Sequence, residues 1–183
     1  MQPFVPHVLP INELDWRLLL PLVGQANAAL ARYDGLLAGI PNPAVMLSPL
    51  TTQEAVLSSK IEGTQATVDE VLEQEAGLLK EEEKYEDIRE ISNYRQALYS
   101  AREYLKDYPI RLSFVRELHR ILMSSVRGQD KTPGAFRLDQ NWIGRHGCTM
   151  EQASFVPPNP IQLPDHLQAW EHYMDSNDVD FLL

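Results

Sequence analysis

Apolar residues recur at steps of three and four along much of the chain, which is the spacing of amphipathic α-helices. The longest periodic segment spans residues 81–108, and its apolar stripe consists of Ile88, Ile91, Tyr94, Leu98, Ala101 and Leu105. Shorter segments that we also predict to be helical are ELDWRLLL, LVGQANAALARYDGLLAGI, ATVDEVLEQEAGLL, FVRELHRILMSSV and DHLQAWEHYMDS. This pattern predicts a mainly α fold.

Proline, glycine and short polar residues mark the expected ends of the first helices. Asn12 can cap the helix that begins with ELDWRLLL. Pro21 is expected to break or kink it, because proline lacks the amide that a continuing helix uses. Gly39 ends the next helical run. Ser48 and Pro49 are typical of a helix start, so we expect a helix from there to about residue 61.

The later helices carry similar signals. Thr67 and Glu70 have the spacing of a capping box, which predicts a helix start at Thr67. Ser113 can cap the following FVRELHRILMSSV helix, and Gly128 is expected to end it. Pro164 opens the last complete helix, because proline fits the first turn.

One segment interrupts the helical pattern. Residues 133–160, PGAFRLDQNWIGRHGCTMEQASFVPPNP, carry β-prone residues around a turn at Gly147 and end in prolines, which predicts a β-hairpin. The last six residues, DVDFLL, contain a capping aspartate and then stop after three apolar residues. A helix of that length is not stable alone, so we expect that the sequence breaks off inside an element.

Composition narrows the class of protein. The 183 residues are 44% hydrophobic and 23% charged, which suits one compact domain or two small ones. The net charge of -10 makes nucleic acid an unfavourable partner. The single cysteine, Cys148, excludes an internal disulfide and favours a cytoplasmic location. No secretory signal and no membrane-length apolar run is present, so we expect no membrane partner.

The candidate chemistry is sparse. The five histidines, His7, His119, His146, His166 and His172, lack metal-ligand spacing, and no glycine-rich phosphate loop occurs, so we predict no metal site. Glu62 is unusual, because a carboxylate on the last turn of a helix faces the negative end of the helix dipole. It is either a solvated glutamate in a turn or a group aimed at an arginine or at a phosphate-binding site.

SSKIEGTQAT, taken with GAFRLDQNWIG and SFVPP, resembles the Fic family in its form with an N-terminal helical extension. The inhibitory motif of that family is (S/T)xxxE(G/N), and Ser58, Glu62 and Gly63 match its defined positions. The resemblance implies a Fic-like helical bundle with one β-hairpin flap. It also implies an AMP transferase that uses ATP and Mg²⁺ and modifies a Ser, Thr or Tyr hydroxyl of a target protein.

The resemblance assigns roles to particular residues. Glu62 would pair with the second arginine of the motif HPFx(D/E)GNGRxxR and would occupy the place of the ATP γ-phosphate. The flap, at about residues 135–157, would bind the target protein by strand addition and would approach the nucleotide. The nucleotide-binding residues would be Glu62, Asn141, Trp142, Ile143 and Gly144. The target-binding flap residues would be Phe136, Trp142, Ile143, Phe155 and Val156.

The chain departs from the family pattern at one point. The motif HPFx(D/E)GNGRxxR does not occur in the 183 residues, so no catalytic residue is assigned here, and related chains would carry it after DVDFLL. The resemblance implies a helical domain at residues 1–108, with its inhibitory helix at about 48–63. The first part of a Fic domain would follow at residues 109–183.

Three functions are compatible with these observations. The chain is the N-terminal part of an autoinhibited protein adenylyltransferase, or a non-catalytic helical module that inhibits a separate Fic domain in trans. The third alternative is a remnant without activity, whose uncovered apolar surface drives association, so a homo-oligomer is possible. The flap argues against the inhibitory module, because a pure inhibitor has no need of a segment that registers targets.

Overall fold

The computed structural model describes residues 2–11, 13–78, 85–124 and 132–176. They form six α-helices: α1 (Trp16–Ala38), α2 (Pro43–Ile61), α3 (Val68–Glu75), α4 (Tyr85–Tyr104), α5 (Leu112–Leu122) and α6 (Leu163–Met174). In the described residues between α5 and α6, Met150–Gln152 forms a 3₁₀ turn. The prediction of a mainly α fold is confirmed. The expectations for Asn12, Gly128 and DVDFLL lie outside the described residues.

The core forms where α2 and α3 pack against α4. Ile88 and Ile91, one helical turn apart on α4, are almost completely buried. They contact Ala55 and Val56 of α2 and Val71 of α3 within one hydrophobic cluster. The apolar stripe that the sequence predicted on α4 therefore supplies the central contact of the fold.

Helix α5 packs along α4, from Asn93 to Tyr104. The ring of Phe114 stacks on that of Tyr104, with the ring centroids 3.8 Å apart. Asn93 of α4 donates its side-chain amide to the carbonyls of Leu122 and Ser124, at 3.1 and 2.7 Å. Because helix-terminal carbonyls lack intrahelical donors, Asn93 satisfies two groups at the end of α5.

Two boundaries of the first helices differ from the prediction. Pro21 lies inside a continuous α1, whose N-cap Asp15 accepts from two backbone amides, so the helix does not break there. One missing hydrogen bond near a helix start is offset by the intact turns that follow. Helix α2 begins at Pro43 and not at Ser48, since Pro43 already occupies the first turn and Pro49 lies inside the helix.

The start of α5 is capped from a distance. The helix begins at Leu112 without a side-chain cap from its own N-cap residue, so Ser113 does not have the predicted role. Instead, Glu171 of α6 accepts the Leu112 amide at 2.6 Å. An ion pair between Arg111 and Asp175 joins the same two helices. By contrast, the local capping box of Thr67 and Glu70 is present at α3 as predicted.

Within the described parts of the chain, no helix combines the length and the apolar character of a membrane span.

We predict that Ile91→Ala lowers the free energy of unfolding by about 2–5 kcal/mol, because it leaves a cavity in the contact between α2, α3 and α4. Ile161→Ala is the matched control, since Ile161 is 85% exposed whereas Ile91 is 0% exposed. Urea denaturation followed by circular dichroism measures both. Equal losses in the two variants would contradict this assignment of the core.

Candidate functional site

The end of α2 presents Glu62 at a sharp turn. Glu62 is the C-cap residue, and Gly63 has a φ of +104°, which favours glycine. The amides of Glu62 and Thr64 both donate to the carbonyl of Ser59, at 3.1 and 3.2 Å. The Gln65 amide donates to Asp87 of α4 at 2.6 Å. These hydrogen bonds fix the backbone at Glu62 and hold the turn against α4.

The Glu62 side chain itself is exposed. No described residue makes a hydrogen bond or an ion pair with its carboxylate, and Lys60 is the basic residue of the last helical turn. The described structure therefore leaves both interpretations open, the solvated glutamate and the group aimed at an arginine or a phosphate. Either way, the carboxylate is accessible to a cationic partner.

Glu62 lies on a cleft of about 820 Å³ between the end of α2, α4 and α5. The described residues that line it are Ser58, Ser59, Ile61, Glu62, Glu90, Tyr94, His119, Leu122 and Met123. Two of them are carboxylates and none is lysine or arginine. The lining thus favours an apolar segment that carries a cation and disfavours a bare phosphate.

A hydrogen-bonded network fixes the last turns of α2 on α4. Ser58 donates its hydroxyl to Glu54 Oε1 at 2.6 Å, and the Tyr94 hydroxyl donates to the same oxygen at 3.1 Å. Burial raises the pKa of Tyr94; the hydrogen bond with Ser58 lowers it, and the hydrogen bond and charge of Glu54 raise it. The net increase keeps the phenol protonated, so it stays a donor.

Sequence reasoning missed Glu54 and Tyr94 as members of the site. The spacing of four between Glu54 and Ser58 was a usable signal, because such residues are neighbours on a helix surface. Tyr94 was assigned to the apolar stripe of α4, and only its position opposite Glu54 reveals that its hydroxyl has a partner.

The predicted β-hairpin flap is not seen, and that part of the fold prediction is corrected. In the described residues, the segment has one isolated antiparallel bridge, between Ile143 and Phe155. The Ile143 amide donates to the Phe155 carbonyl at 2.8 Å, and the Phe155 amide donates back at 3.1 Å. The turn at Gly147 and the 3₁₀ turn, Met150–Gln152, occupy the chain between them, so no ladder extends on that side.

Prolines prevent a ladder on the other side of the bridge. Pro157 and Pro158 carry carbonyls but no amide hydrogens, so they cannot donate to a partner strand. Side chains supply the donors instead: Gln140 Nε2 donates to the Pro157 carbonyl at 3.1 Å, and the Arg137 guanidinium donates to that of Pro158. The segment 135–157 is thus a loop that is bridged once and closed at its base by side chains.

The predicted target-binding residues of this flap loop differ in exposure. Phe136, Trp142, Ile143 and Phe155 are all exposed, with Ile143 the most exposed at 61%. Val156 is 1% exposed, and its carbonyl accepts the Phe4 amide at 2.8 Å. The four exposed side chains are therefore accessible to a partner, whereas that of Val156 is not.

The two groups of predicted site residues occupy different cavities. Ser58 and Glu62 line the cleft described above, and Ile143 and Gly144 line a second cavity, of about 810 Å³, in the flap loop. Within the described ranges, no group of three or more histidine, cysteine, aspartate or glutamate residues could hold a metal ion. The two groups can act in one reaction only through a component that contacts both.

The helical part of the chain, which includes Glu62, matches a known protein family. Residues 20–103 match the family model described as Fic/DOC family N-terminal, Fic_N. This match confirms the resemblance of the helical part of the chain to the N-terminal region of the Fic family. The match includes Ser58, Glu62 and Gly63. No curated protein matches the sequence.

We predict that Gly144→Ala raises the reactivity of Cys148 severalfold. An added Cβ at position 144 would lie 2.5 Å from Cys148 Sγ and 3.3 Å from Ala153 Cα, so the thiol has to move. Because Cys148 is the single cysteine, the rate of its reaction with a chromogenic disulfide reports the flap loop alone. Gly24→Ala on α1, with no atom within 4 Å, is the control. An unchanged rate in Gly144→Ala would mean that this loop is not held as described.

Proposed function

We propose that the chain is the regulatory and target-binding part of an autoinhibited Fic-family protein adenylyltransferase. The observation that supports this most is the position of Glu62. Its carboxylate follows the last turn of α2, at a glycine turn, on an anionic and partly apolar cleft, and within the residues that match the Fic_N family model.

Inhibition in this proposal is competition for one arginine. The guanidinium of an arginine offers five donors in a planar fork, which suits a carboxylate as well as a phosphate. When Glu62 pairs with the second arginine of HPFx(D/E)GNGRxxR, that arginine is not available to the γ-phosphate of ATP. The pair also places a cation at the C-terminus of α2, where the helix dipole favours one.

The reaction would transfer AMP from ATP to a hydroxyl of the target protein, with pyrophosphate leaving. The residues that the family uses as the base and as the Mg²⁺ ligand belong to the motif that the 183 residues do not contain. The described cleft residues do not fit a triphosphate by themselves, since they offer two carboxylates and no arginine or lysine. What this chain supplies is the exclusion of the γ-phosphate by Glu62.

The flap loop would supply the target-binding function. Ile143 uses both of its backbone groups to pair with Phe155, so the backbone of its neighbours, Trp142 and Gly144, points to the opposite edge. Trp142 Nε1 donates to the Cys148 carbonyl at 3.0 Å, but no described residue hydrogen-bonds to the backbone of Trp142 or Gly144, so this edge is open to an extended segment of a target. Exposed side chains on the loop, Trp142 and Ile143, would contact that segment.

A second candidate is a module that inhibits a separate Fic domain in trans. It is compatible with the exposed Glu62 carboxylate on an accessible cleft and disfavoured by the flap loop. Sequencing across codon 183, together with the intact mass of the protein, separates the two candidates. A reading frame that continues through the motif supports the first, and a stop codon after Leu183 supports the second.

We predict that Glu62→Gln raises AMP transfer roughly tenfold or more in a protein that includes the motif, because a charge-assisted bond to the arginine is lost. Labelled ATP and total protein substrate measure the transfer. Glu73→Gln is the matched control, since Glu73 is an exposed glutamate on α3.

The same pair of variants tests the second candidate when the 183-residue chain is added to a purified Fic domain. There, the unaltered chain and Glu73→Gln are expected to suppress transfer, and Glu62→Gln is not. If Glu62→Gln behaves like the control in both assays, Glu62 is a solvated turn residue and inhibition is not its function.

A further inference from the structure

The backbone of Gly134 is held at both of its polar groups by α5. Its amide donates to His119 Nδ1 at 2.8 Å, and its carbonyl accepts from Arg116 Nε at 2.7 Å. Gly134 has a φ of +80°, and an added Cβ would lie 3.1 Å from the Arg116 carbonyl oxygen and 3.3 Å from Arg120 Cβ. Residue 134 therefore lies directly on the helix, at a distance that only glycine allows without a shift.

This contact sets where the flap loop begins. Three residues after Gly134, Arg137 donates to the Pro158 carbonyl, and Gln140 then donates to that of Pro157. These donors close the base of the loop in place of a strand ladder. The position of the loop on the helical domain therefore depends on how Gly134 is attached to α5.

His119 also lines the cleft that contains Glu62, which we name the inhibitory cleft after the role proposed for Glu62. On one side it lines a cavity of about 350 Å³ together with Gly134 and Phe136, and on the other it lines the cleft that contains Glu62. In the contact with Gly134, Nδ1 of this imidazole is the acceptor. One side chain thus separates the base of the flap loop from the cleft.

The charged residues near His119 on α5 have other hydrogen-bond partners and do not accept the Gly134 amide. Arg120 donates to Glu117 at 2.9 Å, one helical turn away on α5. That hydrogen bond lowers the pKa of Glu117 and raises the pKa of Arg120. Arg116 is bound to the Gly134 carbonyl and, as a donor, cannot accept the amide. His119 Nδ1 is therefore the acceptor that the Gly134 amide uses.

We propose that His119 is a positioning residue that couples the flap loop to the inhibitory cleft. A component that enters the cleft and turns the imidazole breaks the bond to the Gly134 amide and loosens the base of the flap loop. Conversely, a target that moves the loop changes the wall of the cleft beside Glu62. Such coupling is reciprocal by thermodynamic linkage. The roles of the two sites rest on the proposed function, whereas the contact between them does not.

The test compares His119→Asn with His119→Gln in the full chain. Both replacements are neutral amides, but asparagine can place its carbonyl oxygen where Nδ1 lies, and glutamine extends past that position. Amide hydrogen exchange at Gly134 is measured by NMR, and circular dichroism confirms that the helices are retained. We expect Gly134 to exchange about tenfold faster in His119→Gln and at nearly the original rate in His119→Asn.

The coupling has its own readout, which is exchange at residues 58–65. We expect it to change in His119→Gln and to be restored in His119→Asn. Unchanged exchange at Gly134 in His119→Gln would overturn the positioning role, and a change at Gly134 without one at residues 58–65 would overturn the coupling. If His119→Gln does not fold, His119→Ala gives the same comparison. Neither readout requires AMP transfer, so failure of the proposed function is distinguishable from failure of this proposal.

Discussion

The burial of Ile88 and Ile91 between α2 and α3 is the contact on which the rest of the structure depends. It fixes α2 along α4, and the network of Ser58, Glu54 and Tyr94 then sets the position of the last turns of α2. The apolar contact and this hydrogen-bonded network together fix the position of Glu62. The proposed competition of Glu62 for an arginine would benefit from this fixed position, because a mobile carboxylate would lose conformational entropy on pairing.

The flap loop is positioned by a different kind of contact. It has one backbone bridge, and its base is closed by side-chain donors to two proline carbonyls. Gly134 then attaches it to α5 through His119 and Arg116. A loop held by a few directed hydrogen bonds can be moved by changing one of them, whereas the α2 and α4 contact is apolar and distributed over many atoms. The two predicted site regions therefore differ in how readily they can respond to a partner.

Much of the helical fold could be predicted from local sequence. The stripe on α4, the capping box at Thr67 and the turn at Gly63 all depend on residues within one or two helical turns. The start of α5 could not, because its cap is Glu171, 59 residues away in the chain. The hairpin prediction was wrong because β-prone residues alone do not form a ladder when prolines and a 3₁₀ turn remove its donors.

The sequence by itself determined the class of fold and the family motif at Ser58, Glu62 and Gly63, since helix periodicity and motif spacing are local properties. Only the tertiary structure decided that Glu62 shares a cleft with Tyr94 and His119, and that His119 binds Gly134. Partners far apart in sequence meet only after the apolar faces have packed. The direction of each donor and acceptor is then set by that packing, which the residue pattern does not encode locally.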